Sequence, residues 1–366
     1  MDRAGRAAGR TWPFRLHGAG LLALAVTVAV VVLPDGARSQ SYELGRSGDL
    51  VVSERLRILA HGRALAEGAS PMARTLSLKA DMLVQGFYHE GGIDWVTAEA
   101  SLSPTLGWSP NLNGGLAGSR IALGGGWLEI DPTYVARSGA TAGLLFESEA
   151  RLAWGLGRFL QAEADGAISR AWQSGYERRD RRLQLCSRNH LRGWSFLDLC
   201  LRQSESDRSL SQYEQRETSL QFARLLAVPN SYHEIRLDLT QRRQPEYRQP
   251  RAGLELHSVW SGLATRFGIG LGQAVEGRTA ERVDAFADLR WRMAGAVTGL
   301  SLWQSRASGG QVFGLAQSDV STGVALFRQI TPALDLSVQY VRTRSSVDLF
   351  DNRQVGLDLS WRLPIR

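Results

Sequence analysis

The sequence predicts an all-β chain: a 14-stranded antiparallel transmembrane β-barrel preceded by a short N-terminal helical segment. Three observations lead there. From Val96 onward apolar and polar residues alternate with period two, the mark of strands with one face dry and one wet. Beyond residue 40 no apolar run approaches the ~20 residues that a membrane-spanning helix needs. The connections between strand candidates are short and long in turn, as in membrane barrels, which have short periplasmic turns and longer external loops.

Residues 1–39 read as an export signal. Arg3, Arg6, Arg10 and Arg15 make a basic start, Gly18 to Leu33 is an apolar run, and Ala37-Arg38-Ser39 offers small residues for a signal peptidase. A retained anchor is the alternative, but the run is shorter than a bilayer span. Residues 40–94 form a short periplasmic helical segment, with helices over 49–67 and 71–88. Ser70-Pro71 supplies a capping residue followed by Pro at the first helical position. Leu76, Leu78, Ala80, Met82 and Val84 also alternate, so a strand stays open for the second stretch.

Residues 95–366 form the barrel. Strands are expected over 96–108, 142–154, 157–170, 180–188, 193–203, 217–226, 231–242, 252–261, 264–273, 283–293, 298–307, 318–328, 333–343 and 354–364. Short links such as Pro229-Asn230, Ser261-Gly262 and Thr331-Pro332 take turns with long polar ones at 171–179, 204–216, 243–251, 274–282 and 308–317. An even strand number places both barrel ends on the periplasmic side.

The last strand shows the pattern most clearly. Val355, Leu357, Leu359, Trp361 and Leu363 alternate with Gln354, Gly356, Asp358, Ser360 and Arg362. Gln354, Gly356, Leu359 and Trp361 look like the terminal assembly signal of Gram-negative outer-membrane barrels, which implies an outer-membrane location and engagement of the barrel assembly machinery. Outer-membrane lipid and lipopolysaccharide are then the surroundings. Trp154, Trp260, Trp291, Trp303, Trp361 and Tyr340 fall near expected strand ends, where amphipathic rings suit the headgroup boundary.

The net charge is +7, of which +4 remains once residues 1–39 are set aside. Those cations are spread along the chain instead of clustered, which argues against a nucleic-acid partner. Lys79 is the sole lysine; the remaining cations are arginines, the planar group suited to phosphate.

A family resemblance emerges from the first strands. Trp95-Val96, Leu102-Ser103-Pro104-Thr105-Leu106-Gly107-Trp108-Ser109-Pro110-Asn111-Leu112-Asn113, Leu123-Gly124-Gly125, Ala136-Arg137-Ser138-Gly139 and Tyr340-Val341-Arg342-Thr343-Arg344-Ser345 to Asn352-Arg353 follow one another in a familiar order. Over roughly residues 90–366 the chain resembles the surface lipoprotein assembly modifier family. The resemblance implies a 14-stranded barrel that helps a lipoprotein or protein client reach the cell surface. Members carry a tetratricopeptide domain before the barrel; here there is room for about one helix pair, whereas such arrays need around three units. A diffusion channel for small solutes, or a barrel displaying its loops, are the other readings.

Cys186 and Cys200 lie on the lumen face of neighbouring strands, within disulfide reach in an oxidising compartment; two unpaired thiols are the alternative. Glu147, Glu163, Asp165, Asp198, Asp238, Glu255, Asp284, Asp288, Asp335 and Asp358 share the lumen with Arg151, Arg182, Arg202, Arg236, Arg290, Arg292 and Arg362. Their mixed signs fit either a salt-bridged filling or a hydrated conduit. His257-Ser258 is adjacent in sequence, so its side chains leave a strand on opposite faces. No metal-ligand spacing or nucleotide loop is present, and neither an enzyme nor a cofactor is expected.

Overall fold

The structure, a computed structural model, describes residues 46–68, 72–123 and 126–365 together with Leu44. The export segment and the Ser70-Pro71 helix start lie outside the described residues. Helix α1 spans Glu54–Ala66, and the extended Ser53 caps it, its hydroxyl accepting from the Leu56 N–H at 3.2 Å. Helix α2 spans Met72–Val84, so the second stretch is helical. It ends at Gly86, whose φ of +72° suits a residue without Cβ. Arg57 of α1 clamps Asp81 of α2 with two bonds of 2.7 Å.

Strand β1 covers Asp94–Ser109, and a small hairpin, β2 (Arg120–Leu123) with β3 (Gly126–Glu129), follows it. Then come β4 (Gly139–Gly155), β5 (Arg158–Ala171), β6 (Glu177–Arg192), β7 (Ser195–Arg208), β8 (Ser211–Val228) and β9 (Ser231–Arg243). Strands β10 (Arg248–Trp260), β11 (Leu263–Gly272), β12 (Ala280–Met293), β13 (Ala296–Val312), β14 (Leu315–Thr331), β15 (Leu334–Ser345) and β16 (Asn352–Trp361) follow. Short β17 (Leu363–Ile365) continues β16. Each barrel strand pairs antiparallel with its sequence neighbour, and β1 pairs with β16 and β17, which closes a 14-stranded barrel.

The strands reach further than expected. The stretches 204–216 and 308–317, read as polar loops, are strand continued beyond the membrane, turning only at 209–210 and 313–314. Strand β8 is 18 residues long, well above the ~9–11 needed to cross hydrocarbon. These outer hairpins are ribbons. At the opposite end the links stay tight, as at Ala294-Gly295, where both residues take the positive φ of a hairpin turn.

Alternate side chains define the two faces. Leu237, Leu239, Leu254 and Ile269 are exposed on the outside, while Glu234, Gln249 and His257 are buried inside. The outward rings Trp154, Trp260, Trp291 and Trp361 stand near the tight-turn end of their strands, and Tyr340 is outward further up β15. Trp303 breaks the expectation. It sits mid-strand opposite Phe286 and Gly323, on the lumen side, its ring filling the space over Gly323.

Candidate functional site

The lumen is built from the inward positions of every strand, and it has two unlike walls. On β4 to β12 the wall is ionic. Arg182 bonds Asp165, Gln184 reaches Glu163 at 3.2 Å, and Glu217 receives Arg242 at 3.0 Å and Arg202 at 3.4 Å. Arg251 meets Glu281 at 2.7 Å and also Asp284, while Arg266 bridges Glu255 at 2.9 Å and Asp288 at 3.6 Å. Glu147 accepts from Ser101 at 3.3 Å, Asp238 accepts from Thr240, and Asp335 lies 3.8 Å from Arg362. Arg290 shares the inward row of β12 with Asp284, Asp288 and Arg292. A cavity of about 350 Å³ opens among Arg202, Glu217, Arg236, Asp238, Arg251 and Asp284.

The other wall, on β13 to β16 and β1, carries Ser301, Ser305, Ser321, Gly323, Ala325, Ser337, Gln339 and Gly356 at its inward positions. Asp358 is the charge it adds to a second cavity of about 330 Å³, lined also by Thr105, Gly107, Thr141 and Ser169. Of the terminal segment, Gln354 and Gly356 belong to this inner row, and Leu359 and Trp361 to the outer one.

The helical segment is folded into the tight-turn mouth of the barrel. Arg55 donates both terminal nitrogens to Asp198 at 2.8 Å, and its guanidinium lies 4.2 Å from the Phe196 ring centre. Asp198 also accepts from Arg188 at 2.9 Å. Glu54 takes two bonds from Arg151, at 2.7 and 2.9 Å. Ser53 donates to the fully buried Glu234, which Arg236 holds at 2.8 Å. Asp49 faces Arg292 at 3.5 Å and His61 at 3.3 Å. Leu50, Leu56 and Leu59 are buried against Phe196, Ala223, Leu225, Tyr232, Val259 and Ala264 of the inner wall. Burial of each such leucine contributes about 1.5–3 kcal/mol.

Two carboxylates of this plug are held in the ionised form. The close approach of His61 at 3.3 Å, with further help from Arg292, lowers Asp49 below its usual value. Burial works to raise Glu54, but the bonds and charge of Arg151 outweigh it, and the net direction is down.

The stretches 110–123 and 126–138 lie over the opposite mouth. Asn113 is fully buried, donating to Val135 O at 2.8 Å and accepting from Arg137 N at 2.9 Å. The first stretch crosses to the β7–β8 hairpin, where Leu210 N donates to Asn113 O at 2.8 Å and Arg208 to Asn111 O at 3.2 Å. Asn111 and Asn113, flanking the buried Leu112, therefore hold this stretch in place.

Cys186 and Cys200 are register partners on β6 and β7, joined by a disulfide with Cα atoms 4.1 Å apart. His233 lies between the hydroxyls of Ser231 and Ser258, 2.8 Å from each, with no carboxylate to orient it. His257 faces inward onto Glu255 at 3.0 Å. Among the described residues no group of three or more His, Cys, Asp or Glu could hold a metal ion.

The sequence reading missed Glu217, Arg242, Arg251, Glu281 and Arg266, although two of them, Arg242 and Arg251, share parity with the inward charges already identified on β9 and β10, while Glu281 sits beyond a bulge that breaks the parity of β12. It also missed the apolar ring of the inner mouth. A signal was present: at that end both parities turn apolar, as in Leu225-Leu226 and Val259-Trp260.

A closed barrel with an apolar outside and an ionic inside belongs to one setting. It is a barrel of the Gram-negative outer membrane. No protein-family model and no curated protein matches the chain. Among solved structures it is similar to the outer membrane protein opdK from Pseudomonas aeruginosa, at 8% identity over 74% of this chain and 99% of that one, TM-score 0.39. It is also similar to OccK2 (OpdF) of that organism (9%, 73% and 98%, 0.41) and to OccAB3 of Acinetobacter baumannii (7%, 73% and 99%, 0.39). At these scores the fold rests on this chain's own strand pairing.

Proposed function

We propose that the chain is a diffusion channel for small polar solutes, closed at its periplasmic mouth by the docked segment 46–68. The observation that carries this reading is the division of the lumen. The hydrogen bonds and ion pairs described between α1 with its leading turn and the barrel go to β4, β7, β9, the β10–β11 turn and β12. The wall of β13 to β16 and β1, lined mainly by hydroxyls and small residues with the carboxylates of Glu99, Asp319, Asp335 and Asp358 spaced along it, is left as the path. Such a path favours small polar solutes that carry no negative charge. In planar bilayers the full chain should show rare, small openings, and variants that undock α1 should conduct steadily. Silence from both would remove the channel reading.

The resemblance to surface lipoprotein assembly modifiers supports a second reading, which one feature of the barrel favours. The closing seam is weak: β1 pairs with β16 only over Thr105–Trp108 and with β17 only over Ala100–Leu102. Pro104 and Pro364, neither with an N–H to give, stand at this seam. A seam that parts would let a protein or lipoprotein client leave sideways. Locking it with Leu106→Cys and Leu359→Cys separates the readings, since conductance should survive and client display should stop. On either reading the terminal strand is the segment that the barrel assembly machinery engages.

A further inference from the structure

The outward face of β13 to β16 carries a group of arginines that neither reading uses. Arg342 on β15 stands directly opposite Arg353 on β16. Val320 of β14 is flanked in the next row by Arg306 of β13 and Arg344 of β15. Arg306, Arg344 and Arg353 are exposed and Arg342 is half-buried. Like charges placed directly across a strand pair repel, so this arrangement is unfavourable by itself. The outward arginines Arg179 and Arg216 on β6 and β8 are relieved by carboxylates, Glu177 and Glu214, each at 3.0 Å. Among the described residues no ion pair relieves the four on β13 to β16. The nearby Asp351 is turned to the Ser345 N–H instead.

Their height on the barrel defines what could relieve them. Two residues below Arg342 and Arg353, about 7 Å along the strand, Tyr340 and Val355 face each other and begin an apolar surface. Val324, Leu326, Val338 and Leu357 continue it toward the tight-turn end. The arginines thus sit at the outer boundary of the hydrocarbon, where a guanidinium is tolerated, and not at its middle. An occupant must offer anionic groups at that boundary and acyl chains below it.

We propose that Arg306, Arg342, Arg344 and Arg353 bind the phosphates of an outer-leaflet glycolipid of the bisphosphorylated lipid A type, its acyl chains lying on the wall below. A phosphate between Arg342 and Arg353 turns their repulsion into two charge-assisted contacts, and the planar guanidinium fork matches its oxygens.

The test uses the full chain in phosphatidylcholine nanodiscs doped with bisphosphorylated or dephosphorylated lipid A, with bound lipid counted by native mass spectrometry. The wild type should retain the bisphosphorylated form about tenfold better. Arg342→Gln with Arg353→Gln should remove most of that preference, and Arg328→Gln, outward near the tight-turn end of β14, should leave it intact. Folding of each variant is checked by heat-modifiable gel migration; if the double variant does not fold, Arg353→Gln alone should lower the preference at least about threefold. Equal retention of both lipids, or full retention by the folded double variant, overturns the proposal. Displacement of the lipid by millimolar inorganic phosphate would assign a free-anion site and overturn it as well.

Discussion

Arg55→Ala tests the plug most directly. The side chains of Arg55 and Asp198 are 7% and 0% exposed, and two 2.8 Å bonds join them. Removing one partner of a buried pair costs about 3–5 kcal/mol, because the other charge is left without its counterpart. Arg188 remains at 2.9 Å from Asp198, so the lower end, about 3 kcal/mol, applies. Loss of the contact with the Phe196 ring acts in the same direction. At 1.4 kcal/mol per decade, ~3 kcal/mol shifts docking of the segment by about a hundredfold. The barrel's own ladder is untouched, so heat-modifiable migration should be retained while open probability in planar bilayers rises steeply. Trypsin should then cleave at Arg57, which is held against Asp81 in the wild type. Arg55→Met with Asp198→Asn, which removes the orphaned charge, should recover much of the closure. A folded Arg55→Ala protein with unchanged conductance and unchanged trypsin resistance would refute the reasoning.

Further outcomes follow from other parts of the molecule. Asp49 and Glu54 are both held below their usual values of 3.8 and 4.5, so their contribution to docking is complete at neutral pH. It is lost as pH falls through the lowered values, so conductance should rise below about pH 4; Glu54→Gln should raise it at pH 7 already. Leu359→Arg places a guanidinium on the lipid side at about 2–4 kcal/mol near midplane, whereas Asp358→Arg, one residue away, faces the lumen. Outer-membrane yield should fall for the first and stay near normal for the second, and equal yields would contradict the terminal register. Unboiled protein should migrate faster than boiled in detergent gels. Thiol alkylation of denatured, unreduced protein should label neither Cys186 nor Cys200.

The barrel was legible because lipid enforces period two wherever a strand crosses it. Leu237, Leu239, Leu254 and Leu256 could face only outward, which fixed Arg236, Asp238, Glu255 and His257 inward. Outside the hydrocarbon that enforcement stops. Residues 204–216 are polar on both faces, so a ribbon standing in water reads as a loop. Trp303 was assigned to the boundary by its aromatic character, yet its alternation with the outward Leu300 and Leu302 turns it inward, where Gly323, a partner 20 positions away, leaves room for the ring. Helix α1 was legible as a helix over 49–67, but its place inside the mouth was not, for a different reason. The wall surrounds it, so Arg55, Leu56, Ile58, Leu59, Ala60 and His61 are buried in nearly every direction, and the usual apolar stripe is absent.

The bond between Cys186 and Cys200 has a meaning for how the chain is put together. The two residues lie 14 positions apart and are register partners, so the link forms within a single hairpin and needs no other strand in place. A slip of one residue between neighbouring strands sends every side chain to the wrong face. For β6 and β7 such a slip would turn Leu183, Leu185, Leu199 and Leu201 toward water and carry Asp198 away from Arg55. Oxidation of this pair is compatible with only the correct alignment and needs only the hairpin, so it can fix the register as a covalent mark before the barrel closes. Strands β5 and β8 then have a pre-registered template on which to align, and the socket for Arg55 is positioned before there is a barrel to hold it.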